Sequence, residues 1–283
     1  MAETAHPIRF GIQTPQQHGS WRDMLSLWQE VDALGFDTAW VFDHFLPIFS
    51  DPTGPCLEGW TALAALAMAT KKVRMGVMVT GNTYRHPAVL AKMATTVDII
   101  SGGRLILGIG AGWFELEHKT YGMPFPRVGE RLTRLDESLQ VIKRLWTEER
   151  VTFTGRYYQL DEAVFNPRPL QQPHPPILIG AGGERVALGI VARHANIWNG
   201  FGSPDALRHK VARLTEHCQQ VGRDPASIEK SVLLTGLFPP NEARQRIEEY
   251  IAVGITHLIF SVSLSLDHPS LQQFAREVMP VFR

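Results

Sequence analysis

The sequence predicts a parallel (β/α)8 barrel of the TIM type, and three observations carry that prediction. Eight short β-branched or apolar runs alternate with longer segments of helical spacing. The runs are apolar at most positions, as strands are when both faces of a sheet are covered. The eighth unit favours a closed barrel over an open doubly wound sheet.

The strand candidates are "IRFGIQ" (8 to 13), "TAWVFD" (38 to 43), "VRMGVMV" (73 to 79), "RLILGIG" (104 to 110), "PILIGA" (176 to 181), "ANIWN" (195 to 199), "SVLLTGL" (231 to 237) and "HLIFSVS" (257 to 263). Between the fourth and fifth, "RVGERLTRLDESLQVIKRLWTEE" places Leu132, Leu135, Leu139, Ile142 and Leu145 three or four apart, one face of a helix. Residues 20–34, 58–70, 87–100, 184–193, 205–221, 241–253 and 270–281 also read as helices. In "SPDAL", Ser203 is an N-cap followed by Pro204 at the first helical position. One stretch, "VTFTGRYYQLDEAVFNPRPLQQPHPP" (151 to 176), lacks helical period and carries β-formers around Gly155, so it reads as an insertion between unit four and strand five, with a hairpin. Its aromatic residues need burial, and residues 1–283 are therefore expected to form a single domain.

Lys+Arg and Asp+Glu are 28 each, so the net charge is zero and long-range attraction of nucleic acid or anionic lipid is not expected. No apolar run approaches the roughly 20 residues that span a bilayer, and the polar start "MAETAHPIRF" lacks a signal-peptide pattern. A soluble, cytoplasmic protein is expected. Cys56 and Cys218 have no C-x-x-C spacing and read as free structural thiols. The first strand leads into "GIQTPQQH" without the H-x-H of metal-dependent barrel hydrolases, and no metal site is expected.

Catalytic groups of such barrels lie at the carboxyl ends of the strands. Gln13 and Thr14, Asp43 and His44, "VTGNTYRHP", "GIGAGW", "GAGGER" and "SVSLS" would therefore converge on one rim. Two of these clusters are glycine-rich. The stretch "GRLILGIGAGWFELE" reads G-x-G-x-G and departs from the G-x-G-x-x-G of dinucleotide folds. A chain at Gly108, Gly110 and Gly112 can pass close to a flat ring, while Gly180, Gly182 and Gly183 can turn N–H groups toward an anion before a helix starting near Glu184. A phosphate-bearing cofactor fits both clusters. Tight turns and strand–helix packing explain either one alone equally well. Trp40, Trp60, Trp113 and Trp198 are candidate walls of a planar ligand pocket or core residues, and Arg85 and His86 either reach phosphate or cap the helix at Pro87.

The segments "DTAWVFDHF", "MGVMVTGNTYRHPAVLAKMATTVDIISGGRLILGIGAGW", "VGERLTRLDESLQVIKRLW" and "PPILIGAGGERVALGIVARHANIWN" resemble the bacterial luciferase-like superfamily of flavin and deazaflavin oxidoreductases, with coenzyme F420-dependent oxidoreductases the nearest likeness. The resemblance implies a barrel with an insertion, often a homodimer, holding an isoalloxazine or deazaisoalloxazine ring at its mouth. It places Asp43 and His44 beside the ring, a non-proline cis peptide at Met78–Val79 behind it, and Thr80 and Asn82 near its polar edge. It implies ring contacts at Gly110, Ala111 and Gly112, and a phosphate-binding segment at Gly180, Ala181, Gly182 and Gly183 with Glu184 and Arg185. In one branch that oxidises a sugar phosphate, a glutamate acid follows the G-x-G-x-G run directly. Here Trp113 stands in that position, with Glu115 two residues on.

The chemistry implied is hydride transfer between reduced F420 and a small organic substrate, with His44 as the proton-transfer group and Asp43 orienting it or binding the ring. Two further readings are an FMN-dependent monooxygenase served by a separate reductase, and a non-catalytic deazaflavin carrier. Substrate choice falls to residues 45–58, 114–126 and 151–176, whose Phe, Pro and Leu content implies an apolar pocket.

Overall fold

The structure is a computed structural model that describes residues 6–265 and 268–283. In chain order its elements are β1 (Arg9–Gln13), α1 (Trp21–Ala33), β2 (Thr38–Val41), α2 (Gly59–Ala69), β3 (Arg74–Val77), β4 (Thr80–Gly81), α3 (Pro87–Ser101), β5 (Leu105–Gly110), α4 (Glu115–Thr120) and α5 (Val128–Thr147). They continue with β6 (Arg150–Thr154), β7 (Gln159–Val164), β8 (Ile177–Gly180), α6 (Ala187–His194), β9 (Ile197–Gly200), α7 (Pro204–Gln220), β10 (Glu229–Thr235), α8 (Pro240–Ile251), β11 (His257–Ser261) and α9 (His268–Glu277).

Every expected barrel strand forms. Parallel pairing runs β1, β2, β3, β5, β8, β9, β10, β11 and back to β1, closing a (β/α)8 barrel. The two-residue β4 continues the third strand past its break and pairs with Ile109 and Gly110. Within residues 151–176, β6 and β7 pair as an antiparallel hairpin, with β6 starting one residue before that stretch. Among the described residues no helix is long and apolar enough to cross a membrane.

Local chemistry sets the helix starts. Ser20 and Asp23 form a reciprocal capping box on α1, and the Ser203 hydroxyl accepts from the Ala206 N–H with Pro204 in the first turn of α7. The helix expected to start near Glu184 starts instead at Ala187, because residues 184–186 form a turn; the loop after β8 is correspondingly longer.

Two apolar layers follow from strand alternation. Residues such as Phe10, Ile12, Val41, Val77, Leu107, Ile109 and Ile179 belong to the large cluster with the helices. Trp40, Met78, Ile106, Leu178, Ile197 and Ile259 form a separate, smaller cluster. Trp40 and Trp198 are fully buried and Trp60 nearly so, so three of the four tryptophans are core. Both cysteines are free; burial, aided by Glu117, pushes the Cys56 thiol up to about 12.

A polar chain runs through the buried strands. Trp40 Nε1 donates to Thr38 Oγ1 at 2.8 Å, and Thr38 stands 2.8 Å from His257 Nε2. With its proton directed to Nε2, the hydroxyl leaves the neutral ring's hydrogen on Nδ1. Burial first, then Arg9 and Arg74, push His257 down to about 3. The unfolded chain therefore binds a proton near the ordinary histidine value that the folded chain does not. Stability is lost as pH falls below about 6.5, by up to about 1.4 kcal/mol per pH unit from this residue. Neighbouring Glu229, raised mainly by burial, opposes that slope in its own range. Urea unfolding measured between about pH 6.5 and 4 should give a steeper dependence for the wild type than for His257→Gln, by about one proton.

Candidate active site

The mouth is organised around the turn that follows β2. Gln16 fixes its start: its side chain accepts from the Phe42 N–H at 3.1 Å and donates to the Phe42 carbonyl at 2.7 Å. Asp43 and His44 come next, and both are buried. Asp43 accepts from the Gly81 N–H at 3.0 Å and takes both arms of Arg85 at 2.6 and 2.9 Å. Arg85 also donates to Glu58 at 2.8 Å. Burial lowers Arg85, but Asp43 and Glu58 more than reverse this and hold it above its ordinary value. Burial pushes Asp43 up against the pull of that guanidinium.

His44 has a different carboxylate. Its Nδ1 lies 2.9 Å from Glu117 Oε2, and Glu117 is fully buried on the short helix α4. The same carboxylate accepts from the Phe45 and Leu46 N–H groups at 2.5 and 2.9 Å and from the Tyr84 hydroxyl at 2.5 Å. Burial alone would raise Glu117; the bonds from His44 and Tyr84 outweigh it and hold the carboxyl below its usual range. Burial and Glu117 push the Tyr84 phenol far up, so it serves as a donor. An ionised Glu117 requires hydrogen on His44 Nδ1. Nε2 is then the nitrogen left to exchange a proton.

Aromatic rings surround the imidazole. Phe42 is tilted against it at 4.9 Å, and Trp113 and Phe114 meet it edge-on at 5.5 and 5.6 Å. Trp113 is 52% exposed and stacks at 5.6 Å on Phe49, which is 90% exposed.

The expected residues behind this site divide. The Met78–Val79 peptide is cis; Met78 N–H donates to the Val41 carbonyl at 2.7 Å, and the Met78 carbonyl accepts from Gln13 at 2.9 Å. Thr80 is fully buried and its hydroxyl accepts from Trp60 at 3.1 Å, so that oxygen is already engaged. Asn82 is 2% exposed and neither atom of its amide has a partner. At Gly110 and Gly180 the space of a Cβ lies 2.8 and 3.0 Å from the Val79 side chain, and at Gly112, which has φ +81°, it lies 2.6 Å from Thr83 Oγ1. These glycines admit neighbouring protein. Ala181 is buried, whereas Gly182 and Gly183 are exposed, and a Cβ there would meet nothing nearer than Lys210 Nζ at 3.9 Å and Ala187 at 3.6 Å. Arg185 is exposed, and Glu184 lies 3.1 Å from His209 Nε2 while its carbonyl lies 2.7 Å from His217 Nε2.

Arg85 is committed to two carboxylates, and His86, whose ring accepts from the Ala88 N–H at 3.2 Å, caps α3. Glu115 is exposed. Glu117 and Tyr84 escape sequence reading: "FELEH" offers two acids, and only the fold shows that the second turns inward.

A closed (β/α)8 barrel with a histidine–carboxylate pair and a glycine loop at the carboxyl ends of its strands presents both where barrel enzymes carry their catalytic groups. The chain belongs to the luciferase-like monooxygenase family, whose model matches residues 4–265. The F420-dependent glucose-6-phosphate dehydrogenase of Kineococcus radiotolerans is 27% identical, with 98% of each chain covered. The protein of the same name from Amycolatopsis mediterranei is 37% identical over 64% of this chain, and that match spans about half, 54%, of its own length. The fold is shared with an F420-dependent secondary alcohol dehydrogenase in complex with an F420–acetone adduct, at a TM-score of 0.88, 21% identity, and coverage of 98% of this chain and 100% of that one.

The Asp43–Arg85 pair gives a direct test of the site's electrostatics. Arg85→Met leaves Asp43 buried without its cation, a loss of about 3–5 kcal/mol in urea unfolding. A buried carboxyl raised in the folded state stabilises most at low pH, so the deficit should grow as pH rises. The double variant Arg85→Met/Asp43→Asn should recover most of it.

Proposed function

We propose that this protein is a coenzyme F420-dependent oxidoreductase that moves a hydride between the deazaflavin and an uncharged carbon centre of a small organic substrate. The observation that carries the reading is the fixed His44 imidazole, with Nδ1 tied to a buried carboxylate and Nε2 left over, beside the exposed indole of Trp113. The F420-dependent relatives named above support the cofactor assignment.

The residues present fit such a group. Asn82 is a buried amide with two unused polar atoms, the kind of side chain that a polar ring edge would satisfy. Gly182 and Gly183 leave open space for close approach to main-chain N–H groups ahead of α6, and Lys210 stands nearby as a cation for a phosphate. Gly180, Ala181, Glu184 and Arg185 complete that segment; Gly110, Ala111, Gly112, Val79 and Met78 form the floor behind it. When bound, F420 supplies two-electron hydride chemistry.

The chain's own residues supply orientation and the proton. Glu117 fixes which nitrogen of His44 bears hydrogen, so Nε2 gives a proton to, or takes one from, the substrate oxygen. Asp43 acts at a distance from that exchange: through Arg85 and Gly81 it holds the β2 and β4 turns together. Phe42, Phe114 and Trp113 limit water around the imidazole, which strengthens its bond to Glu117.

Side-by-side equilibrium titration with oxidised F420 and with FMN tests the cofactor. A clear preference for F420 is expected; preference for FMN would move the protein to the monooxygenase reading, with a reductase partner. Gly182→Val should weaken F420 binding while the circular dichroism and unfolding midpoint stay unchanged, and an unaltered dissociation constant would remove the loop from the cofactor site. His44→Ala should lower turnover by about 100-fold or more with little change in F420 affinity. An equal loss of both would reassign His44 to binding.

A further inference from the structure

The segments that join each barrel strand to its following helix are unequal in charge. Residues 14–20, 42–58, 111–114, 201–203, 236–239 and 262–267 contain no Lys or Arg, and the other two contribute only Arg85 and Arg185. Arg85 is spent on Asp43 and Glu58. Arg185 belongs to the loop read above as the cofactor's phosphate segment. Within these segments there is accordingly no cation left for an anionic substrate; beyond them, Arg131 is tied to the Gly112 and Pro126 carbonyls.

Aromatic surface takes its place. Phe49, Trp113 and Phe201 are 90%, 52% and 50% exposed, and they follow three different strands, β2, β5 and β9. Phe49 and Trp113 stack with their planes 17° apart, and Trp113 meets the His44 ring in a T-shaped contact at 5.5 Å. Phe49 holds this place with φ +57°, a left-handed backbone that is uncommon for a bulky residue. Apolar rings left in water beside a proton-transfer group mark a surface that a ligand covers.

We infer that the substrate is an uncharged molecule with an apolar body, alkyl or aromatic, which packs on Trp113 and Phe49 and presents its reacting carbon and oxygen to His44; a sugar phosphate is excluded as the preferred substrate. This inference rests on the F420 reading for its chemistry and on the rim alone for its specificity.

Calorimetric titration of the F420-loaded protein with 2-acetylnaphthalene, cyclohexanone and glucose 6-phosphate tests it. Both ketones should bind more tightly than the sugar phosphate, and Trp113→Ala and Phe49→Ala should each weaken 2-acetylnaphthalene by about tenfold. Tighter binding of glucose 6-phosphate, absence of ketone binding, or ketone binding that neither substitution alters would overturn the inference. Failure of F420 itself to bind would instead defeat the cofactor reading. The same titrations on the unloaded protein would still report whether Trp113 and Phe49 hold the ketone.

Discussion

The barrel closes where β3 meets β5, and that seam decides how the rest of the mouth is built. A Cβ at Gly108 would stand 2.0 Å from the Val77 carbonyl oxygen, a distance at which backbone has to move. Glycine there lets the two strands approach closely enough to pair through Met75 and Gly76 with Leu105 and Ile106. Beyond Val77 the third strand leaves this register, and pairing resumes when β4 meets Ile109 and Gly110. The displaced end carries Gly81 to Asp43 and Asn82 to the Gly110 carbonyl. Closure and site are thus one piece of geometry.

A second constraint is the position of negative charge. Two carboxylates, Asp43 and Glu117, lie buried against the loop after β2, yet their partners differ. Asp43 has a permanent cation in Arg85, so its burial is compensated by an ion pair. Glu117 has none as close; it is satisfied by two backbone N–H groups, a phenol and an imidazole. Four donors converge on two oxygens, which is what keeps this carboxyl ionised in a buried place. The consequence is directional: the tautomer of His44 is set from α4, the short helix whose other buried residue, His118, lies 2.7 Å from Thr83 Oγ1 and stacks on Tyr84.

The barrel was legible because its strands are apolar runs separated by helical spacing, and all eight fall where that pattern puts them. The pattern is silent on short pieces. A strand of two residues and a helix of six, β4 and α4, have no period to detect, and these two position Asn82 and Glu117. Asp43 and His44 were visible as an acid–histidine pair, but adjacency in sequence misled on partnership. The turn after β2 sends the two side chains to different partners: Asp43 meets Arg85 while His44 meets Glu117. Among the tryptophans, residue type alone separated nothing; Trp40 and Trp198 fill the interior and Trp113 meets solvent. The glycines of β5 and the loop after it were legible as a close-approach signal, and what approaches Gly108, Gly110 and Gly112 in the structure is Val77, Val79 and Thr83.

The order of strands around the barrel also constrains how a ligand lies. Gly182 and Gly183 follow β8, and His44 follows β2; between them the wall consists of β5 and the paired ends of β3 and β4. A molecule that has an anion at the first loop and a reacting centre at the second must pass over Gly110, Val79 and Asn82. Those residues offer the apolar side chain of Val79, a glycine packed against it and one unsatisfied amide. A surface of that kind suits a planar ring with a polar edge better than it suits a second charged group, because a charge there would lose water and gain no counter-ion. Under the proposed function the redox ring would lie over that surface and leave the aromatic rim beyond it to the substrate.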